Sequence, residues 1–186
     1  MLIDEVMLCP SFCYNGRRYD GEGENIMSQS NDKEMSQYNI ARIQTEQELS
    51  DALAVRTAVF VQEQQVPISL EVDEKDTLME QEKTGCSHYV LYNKTTPVAA
   101  ARYYMYSEKT AKLQRIAVLK TYRGQGLGKA IIEQMEQHIQ AKDIAHIILD
   151  AQVTAVGFYE QLGYTKQSEQ TFLDAGIVHV RMEKYL

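Results

Sequence analysis

The run Arg123-Gly124-Gln125-Gly126-Leu127-Gly128-Lys129 has the clearest capacity for chemistry. Closely spaced glycines let a backbone approach a ligand with its N–H groups pointing outward. Beyond them, Leu127, Ile131, Met135 and Ile139 recur every four positions, which predicts a helix over 126–142. The first turn of a helix carries unpaired N–H donors and about half a positive charge from the macrodipole. That terminus suits a pyrophosphate, with Arg123 and Lys129 adding charge beside it. A Walker loop does not fit. It needs four residues between its first glycine and Gly-Lys-Ser/Thr, whereas Gly124 precedes Gly128-Lys129 by three, and Ala130 stands where the hydroxyl belongs. A dinucleotide loop is Gly-x-Gly-x-x-Gly within a parallel unit; here the spacing is Gly-x-Gly-x-Gly after strands that read as antiparallel.

Charge concentrates in the same segment. The 186-residue chain has a net charge of −7, yet six basic residues and no acidic one lie between Lys109 and Ile132. The remainder has 13 basic residues against 26 acidic ones. A generic nucleic-acid binder is basic overall, so no nucleic-acid partner is expected. A basic segment in an acidic chain fits a local anionic ligand. No apolar run approaches the roughly 20 residues that span a bilayer. The N-terminus lacks the basic start and apolar stretch of a secretory signal, so a cytoplasmic protein without a membrane partner is expected. Cys9, Cys13 and Cys86 cannot all pair, and no second ligand pair completes a zinc site. Reduced thiols and no metal are expected.

These residues need elements to hold them. Residues 1–37 are rich in Gly, Ser, Asn, Asp and Glu without a period, and read as a disordered or loosely attached extension. A strand is predicted over 38–43. Thr45-Glu46-Gln47-Glu48 is a capping box for a helix through about Gln64, with Leu49, Ala52, Val59 and Phe60 turned inward. Val66-Pro67 ends it. Residues 67–86 read as an acidic loop with at most one short helix. Strands over 87–93, 98–107 and 111–118 form a meander. After the helix over 126–142 come a buried strand over 145–150 and a short helix over 154–162 closed by Gly163. Two strands follow, 165–172 and 177–184, joined at Asp174-Ala175-Gly176.

The sequence from about residue 38 to 186 resembles the GNAT superfamily of N-acetyltransferases. Arg123-x-x-Gly126-x-Gly128 matches that family's pyrophosphate motif, Arg115-Ile116-Ala117-Val118 is similar to its cofactor-facing strand, and Ala155-x-x-Phe158-Tyr159-Glu160-x-Leu162-Gly163-Tyr164 is similar to its second signature. Val59-Phe60-Val61-x-Glu63-Gln64 and Phe172-Leu173-Asp174-Ala175-Gly176-Ile177-x-His179 resemble the YjcF/ElaA-like branch. The implied fold is α+β in three layers: a mixed, mostly antiparallel, splayed sheet flanked by helices.

The resemblance implies acetyl-CoA as co-substrate and direct acetyl transfer to an amine of a small molecule or peptide. It implies that Ile116, Ala117, Val118, Arg123, Gly124, Gln125, Gly126, Leu127, Gly128, Lys129, Gln152, Ala155, Phe158 and Tyr159 bind the cofactor. Backbone groups of Ile116 and Val118 would pair with pantetheine, and the Val118 N–H would polarise the thioester carbonyl. Gln152 stands where many relatives have Asn. Tyr159 is the expected general acid for the departing thiolate; the competing role is that of a core aromatic beside Phe158. Many relatives carry a glutamate where this chain has Gln114, which cannot take a proton. The base is then Glu71, Asp73, His88 or water. A CoA-binding sensor without turnover is the alternative function. Homodimer formation through the last strands is a further expectation, because an exposed sheet edge invites pairing.

Gly23-Glu24 stands just before Met27, and a purine-rich ribosome-binding sequence can encode that dipeptide. Translation from the native gene is therefore expected to start at Met27 or Met35, which intact-mass measurement checks. A mass that includes residues 1–26 contradicts it.

Overall fold

The computed structural model describes residues 37–186. The expectations for residues 1–36, Cys9 and Cys13 among them, lie outside the described residues. The chain runs through β1 (Tyr38–Arg42), α1 (Glu46–Arg56), a π-helical stretch (Thr57–Glu63), α2 (Ile68–Glu71), α3 (Leu78–Thr84), β2 (Ser87–Asn93), β3 (Thr96–Ser107) and β4 (Thr110–Val118). It continues with α4 (Leu127–Gln140), β5 (His146–Gln152), α5 (Val156–Gln161), β6 (Thr165–Asp174) and β7 (Ile177–Tyr185). The Thr45 capping box forms with both of its hydrogen bonds. The predicted helix to Gln64 is not α-helical throughout, because Gln64 N–H bonds five residues back to Val59 O. The acidic loop holds two short helices rather than at most one.

The strands pair as one sheet in the order β1-β2-β3-β4-β5-β7-β6, antiparallel except for β4 with β5. Helices cover both faces. On one, α4 places Leu127, Ile131, Met135 and Ile139 against Tyr89, Leu91, Tyr103, Leu113, Leu149 and Met182. On the other, α1 and the π-helical stretch bury Leu49, Ala52, Val55 and Val59 against Val90, Ala100 and Ala117. The β6–β7 hairpin closes through Ala175 and Gly176, both at positive φ, as a tight hairpin turn requires. β6 is one of the two edge strands, and all ten of its residues are exposed.

Two departures from regularity shape the sheet. Ala100 pairs with Ala117 and Arg102 with Gln114, so β4 carries one residue more than β3 between those pairs. Arg115 sits in this bulge at φ 55°, a conformation that costs a non-glycine residue about 1–2 kcal/mol. A bulge bends its strand and increases the local twist. Accordingly, the β4–β5 ladder runs from Thr110–His146 only to Leu113–Leu149. Beyond it, residues 114–118 and 150–152 separate, giving the splayed sheet.

Under α1, the sheet carries an ionic layer where the apolar core ends. Arg56, 1% exposed, donates from Nε to Glu71 Oε1 (2.6 Å) and from Nη1 and Nη2 to the Asp76 carboxylate (2.6 and 3.0 Å). Arg102 bonds both carboxylate oxygens of Asp73 and also Asp76. Arg115 reaches Glu71 Oε2 at 3.0 Å. Three guanidinium groups thus balance three carboxylates. Removing one partner of a buried pair leaves an uncompensated charge, at a cost of about 3–5 kcal/mol. Arg56→Met is expected to lower the melting temperature by roughly 10 °C in a chain of this size, read by thermal unfolding. An unchanged melting temperature contradicts the role given to this layer.

Candidate active site

The glycine loop leaves β4 and turns into α4. Gly124 and Gly126 have φ of 78° and 79°, with open space where a Cβ would stand, so neither is glycine for want of room inside the protein. Their backbones adopt the left-handed conformation and leave the helix terminus uncovered. Gly128 differs: a Cβ there would lie 3.3 Å from the Phe158 ring and 3.7 Å from the Val118 side chain. Its lack of a side chain lets α5 pack against the start of α4. Leu127, 1% exposed, anchors the terminus in the core.

Two latches hold the loop. Tyr38 donates its hydroxyl to Gln125 Oε1 (2.7 Å), joining β1 to the loop. Arg123 donates from Nε to Val118 O (3.0 Å) and from both terminal nitrogens to Glu63 (2.6 and 2.7 Å). Arg123 supplies a clamp whose charge Glu63 balances; that hydrogen bond holds the Glu63 carboxyl below its usual range. Lys129 is exposed and 3.7 Å from Glu133. The terminus therefore draws its positive potential mainly from α4 itself, with Lys129 alongside.

The π-helical stretch aims two consecutive side chains at this region. Next to Glu63, Gln64 exchanges two amide hydrogen bonds with Gln152 at the end of β5 (3.3 and 3.0 Å). Both banks of the gap are thus fixed from the end of the π-helical stretch, the β4 bank through Arg123 and the β5 bank through Gln152. Leu119 N–H bonds back to Val98 O on β3. By strand alternation, Val118 turns its backbone groups to the other edge, into the gap. Ile116 and Val118 rest their side chains on the α4-side core, while Ala117 is buried on the α1 side.

Tyr159 lies on α5, 9% exposed, with its ring edge-on to Phe158 (5.1 Å) and Tyr164 (5.9 Å). Burial alone raises its phenol well above the ordinary value, so it stays protonated through the neutral range. Ala155 and Phe158 pack on the same core.

Glu71, Asp73 and His88 come together in the ionic layer; the carboxylate oxygens of Glu71 and Asp73 are engaged by guanidinium groups, and His88 is buried beside Asp76. Burial raises the Glu71 carboxyl against the opposing pull of Arg56 and Arg115. Burial acts on Asp73 too, but the Arg102 hydrogen bonds and charge outweigh it and hold the carboxyl at about 2. His88, 1% exposed, bonds through Nε2 to Lys75 O (2.9 Å). Burial drives its imidazole down to about 4, which the Lys75 carbonyl and Asp76 only partly offset. Gln114 accepts from Arg102 (3.3 Å). Arg115, from its left-handed position, also donates to Leu70 O (2.7 Å) and Glu71 O (3.2 Å), tying the acidic segment to the bulge.

Residues 57–186 match the acetyltransferase (GNAT) domain family. The chain belongs to the GNAT acetyltransferases. It is 42% identical over 139 residues to the uncharacterised N-acetyltransferase YjcF of Bacillus subtilis, covering 75% of this chain and 94% of that one. It is 44% identical over 146 residues to the uncharacterised protein YyaT of the same organism, covering 78% and 95%. The crystal structure of an acyl-CoA N-acyltransferase from Pseudomonas aeruginosa superposes with a TM-score of 0.66 at 25% identity, covering 79% of this chain and 97% of that one. The chain is thus an acyltransferase, and its family uses acetyl-CoA as co-substrate. Among the described residues, no helix is long and apolar enough to cross a membrane.

Reading along the sequence missed the Glu63 and Gln64 contacts, Arg56 and Asp76. Glu63-Gln64 stood out as a branch-like pair without a role. Arg56 and Asp76 gave no local signal, since they meet only when the 19 residues between them fold back.

The buried neutral state of His88 predicts a pH dependence. The unfolded chain protonates this imidazole near 6.5 and the folded one near 4, so between those values the unfolded state holds more protons. Stability therefore falls as pH drops from 6.5 to 4, by up to on the order of 3 kcal/mol from this group. Urea unfolding at pH 7 and 4.5 is expected to show that loss in the wild type and a smaller one in His88→Gln. Equal losses contradict it.

Proposed function

We propose that this protein transfers the acetyl group of acetyl-CoA directly to an amine. The observation that carries the reading is the gap opened by the β4 bulge, with an uncovered helix terminus at its end. Acetyl-CoA supplies an acetyl group on a thioester. Backbone N–H groups around Gly126 and Gly128 hold its diphosphate, and a Cβ at Gly126 would enter that cradle. Edge groups of Ile116 and Val118 pair with pantetheine, and Gln152 contacts it from the β5 bank. The Val118 N–H is the donor toward the reacting carbonyl; losing such a donor costs about 3 kcal/mol of barrier in comparable sites.

Tyr159 donates a proton to the departing sulfur. Burial raises its phenol, and the same dry surroundings raise a thiol, so the two remain close enough for transfer. Glu71 and Asp73 act as positioning residues: they hold Arg115 and Arg102, and through Arg115 the bulge. Their engagement leaves the acceptor's proton to another group.

Thiol release from acetyl-CoA, measured over a panel of primary amines, tests this proposal. Turnover is expected with at least one amine. Tyr159→Phe is expected to lower kcat about 100-fold with CoA affinity unchanged. Gly126→Asp places a left-handed side chain and a negative charge in the cradle, and is expected to weaken CoA binding at least tenfold. No turnover with any amine, or full activity in Tyr159→Phe, contradicts the assignment.

A further inference from the structure

An amine that meets a thioester must first lose a proton, because an alkyl ammonium near pKa 10.4 is about a thousandfold more abundant than its free base at pH 7. Glu71 and Asp73 are engaged as described, His88 is 1% exposed with Nε2 donating to Lys75 O, and Gln114 is an amide. One imidazole elsewhere combines accessibility, a fixed tautomer and the right place in the sheet. We propose that His179 is the general base that takes the proton from the acceptor amine.

Placement comes from register. His179 on β7 pairs directly with Gln152 on β5, three residues past Leu149, where the β4–β5 ladder stops. The adjacent pair, Ala151 with Val180, faces the α4-side core. Side chains alternate along strands, so Gln152 and His179 share the opposite face, the one that α1 covers. Gln152 confirms the direction by bonding Gln64. His179 therefore stands beside the mouth of the gap, on the face that carries the acidic segment. It is only partly buried.

The ring is held for the task. Nδ1 lies 2.9 Å from Ile177 O, so it carries the hydrogen and donates it to that carbonyl. A neutral imidazole with Nδ1–H presents Nε2 as a bare acceptor. Among the described residues, Nε2 has no hydrogen-bond partner. Phe172, paired with His179 across β6 and β7, stacks on the ring with centroids 6.1 Å apart and fixes its plane. By register, the charged residues at neighbouring positions on that face are Asp150 on β5, Arg181 on β7 and Asp174 on β6. Arg181 and Lys112 take up Asp150 (Arg181 Nε to Oδ1, 2.6 Å), so that carboxylate does not compete for the amine proton.

The step balances as follows. His179 Nε2 accepts one proton from R–NH3+, and the freed lone pair forms the C–N bond to the acetyl carbon. The C–S bond breaks, and the sulfur receives a proton from the Tyr159 hydroxyl. The second proton on nitrogen restores that hydroxyl, and the imidazolium returns its proton to solvent. The net products are the amide, the free thiol and one proton.

The inference rests on the acetyl transfer proposed above, and the two fail differently. With the best amine of the panel, His179→Ala is expected to lower kcat/KM about 100-fold at pH 7 and to abolish the imidazole limb of the pH profile. CoA affinity by calorimetry is expected to stay within twofold, and added imidazole to restore part of the rate. Nitrogen-15 NMR of the free wild-type protein is expected to show the Nδ1–H tautomer at His179. Wild-type turnover with an undiminished rate in both His179→Ala and His179→Gln overturns the role of His179 alone. So does an Nε2–H tautomer. Absence of turnover in the wild type overturns the acetyl-transfer reading and this inference with it.

Discussion

The separation of β4 from β5 is the constraint on which the rest depends. One extra residue in β4 opposite β3 places Arg115 in a left-handed conformation and turns the strand aside. A parallel pair that would otherwise zip to its end stops at Leu113–Leu149. Strand edges left open inside a fold have unpaired N–H and C=O groups, which another extended chain can satisfy. In the function proposed above, that chain is the pantetheine arm of the co-substrate. The glycine loop, the start of α4 and Tyr159 then fall into place around one line through the sheet.

Holding a sheet open needs support, and the ionic layer supplies it. Arg115 grips Glu71 and two carbonyls of the acidic segment, Arg102 grips Asp73, and Arg56 binds Glu71 and Asp76 together. A buried ion-pair network adds little net stability compared with an apolar core, but it defines geometry sharply, because any displacement exposes an unpaired charge. The same network engages the carboxylate oxygens of Glu71 and Asp73. In the proposed reaction, frame and proton transfer fall to different groups: carboxylates for the frame, imidazole and phenol for the protons.

Much of this was legible along the chain. The strand and helix order followed from periodicity and turn residues, and the loop around Gly126 followed from glycine spacing before a strong amphipathic helix. The α4 face came out as predicted, with Leu127, Ile131, Met135 and Ile139 all buried. The charge pairing was not legible. Acidic residues at 71, 73 and 76 look like a solvated loop until Arg56, Arg102 and Arg115 arrive from three other elements. The π-helical stretch was also hidden, since the apolar pattern over 57–63 suits an α-helix and only the i to i+5 bond to Val59 distinguishes it. His179 could not be ranked from sequence, because its standing depends on cross-strand register with Gln152.

Amide hydrogen exchange along β4 tests the opened sheet most directly. The account predicts that Ile116 and Val118 exchange rapidly in the free protein, while Ala111 and Leu113, inside the ladder, are protected. Adding CoA should then slow exchange at Ile116 and Val118 selectively. Saturable CoA binding that leaves both amides as fast as before would contradict it.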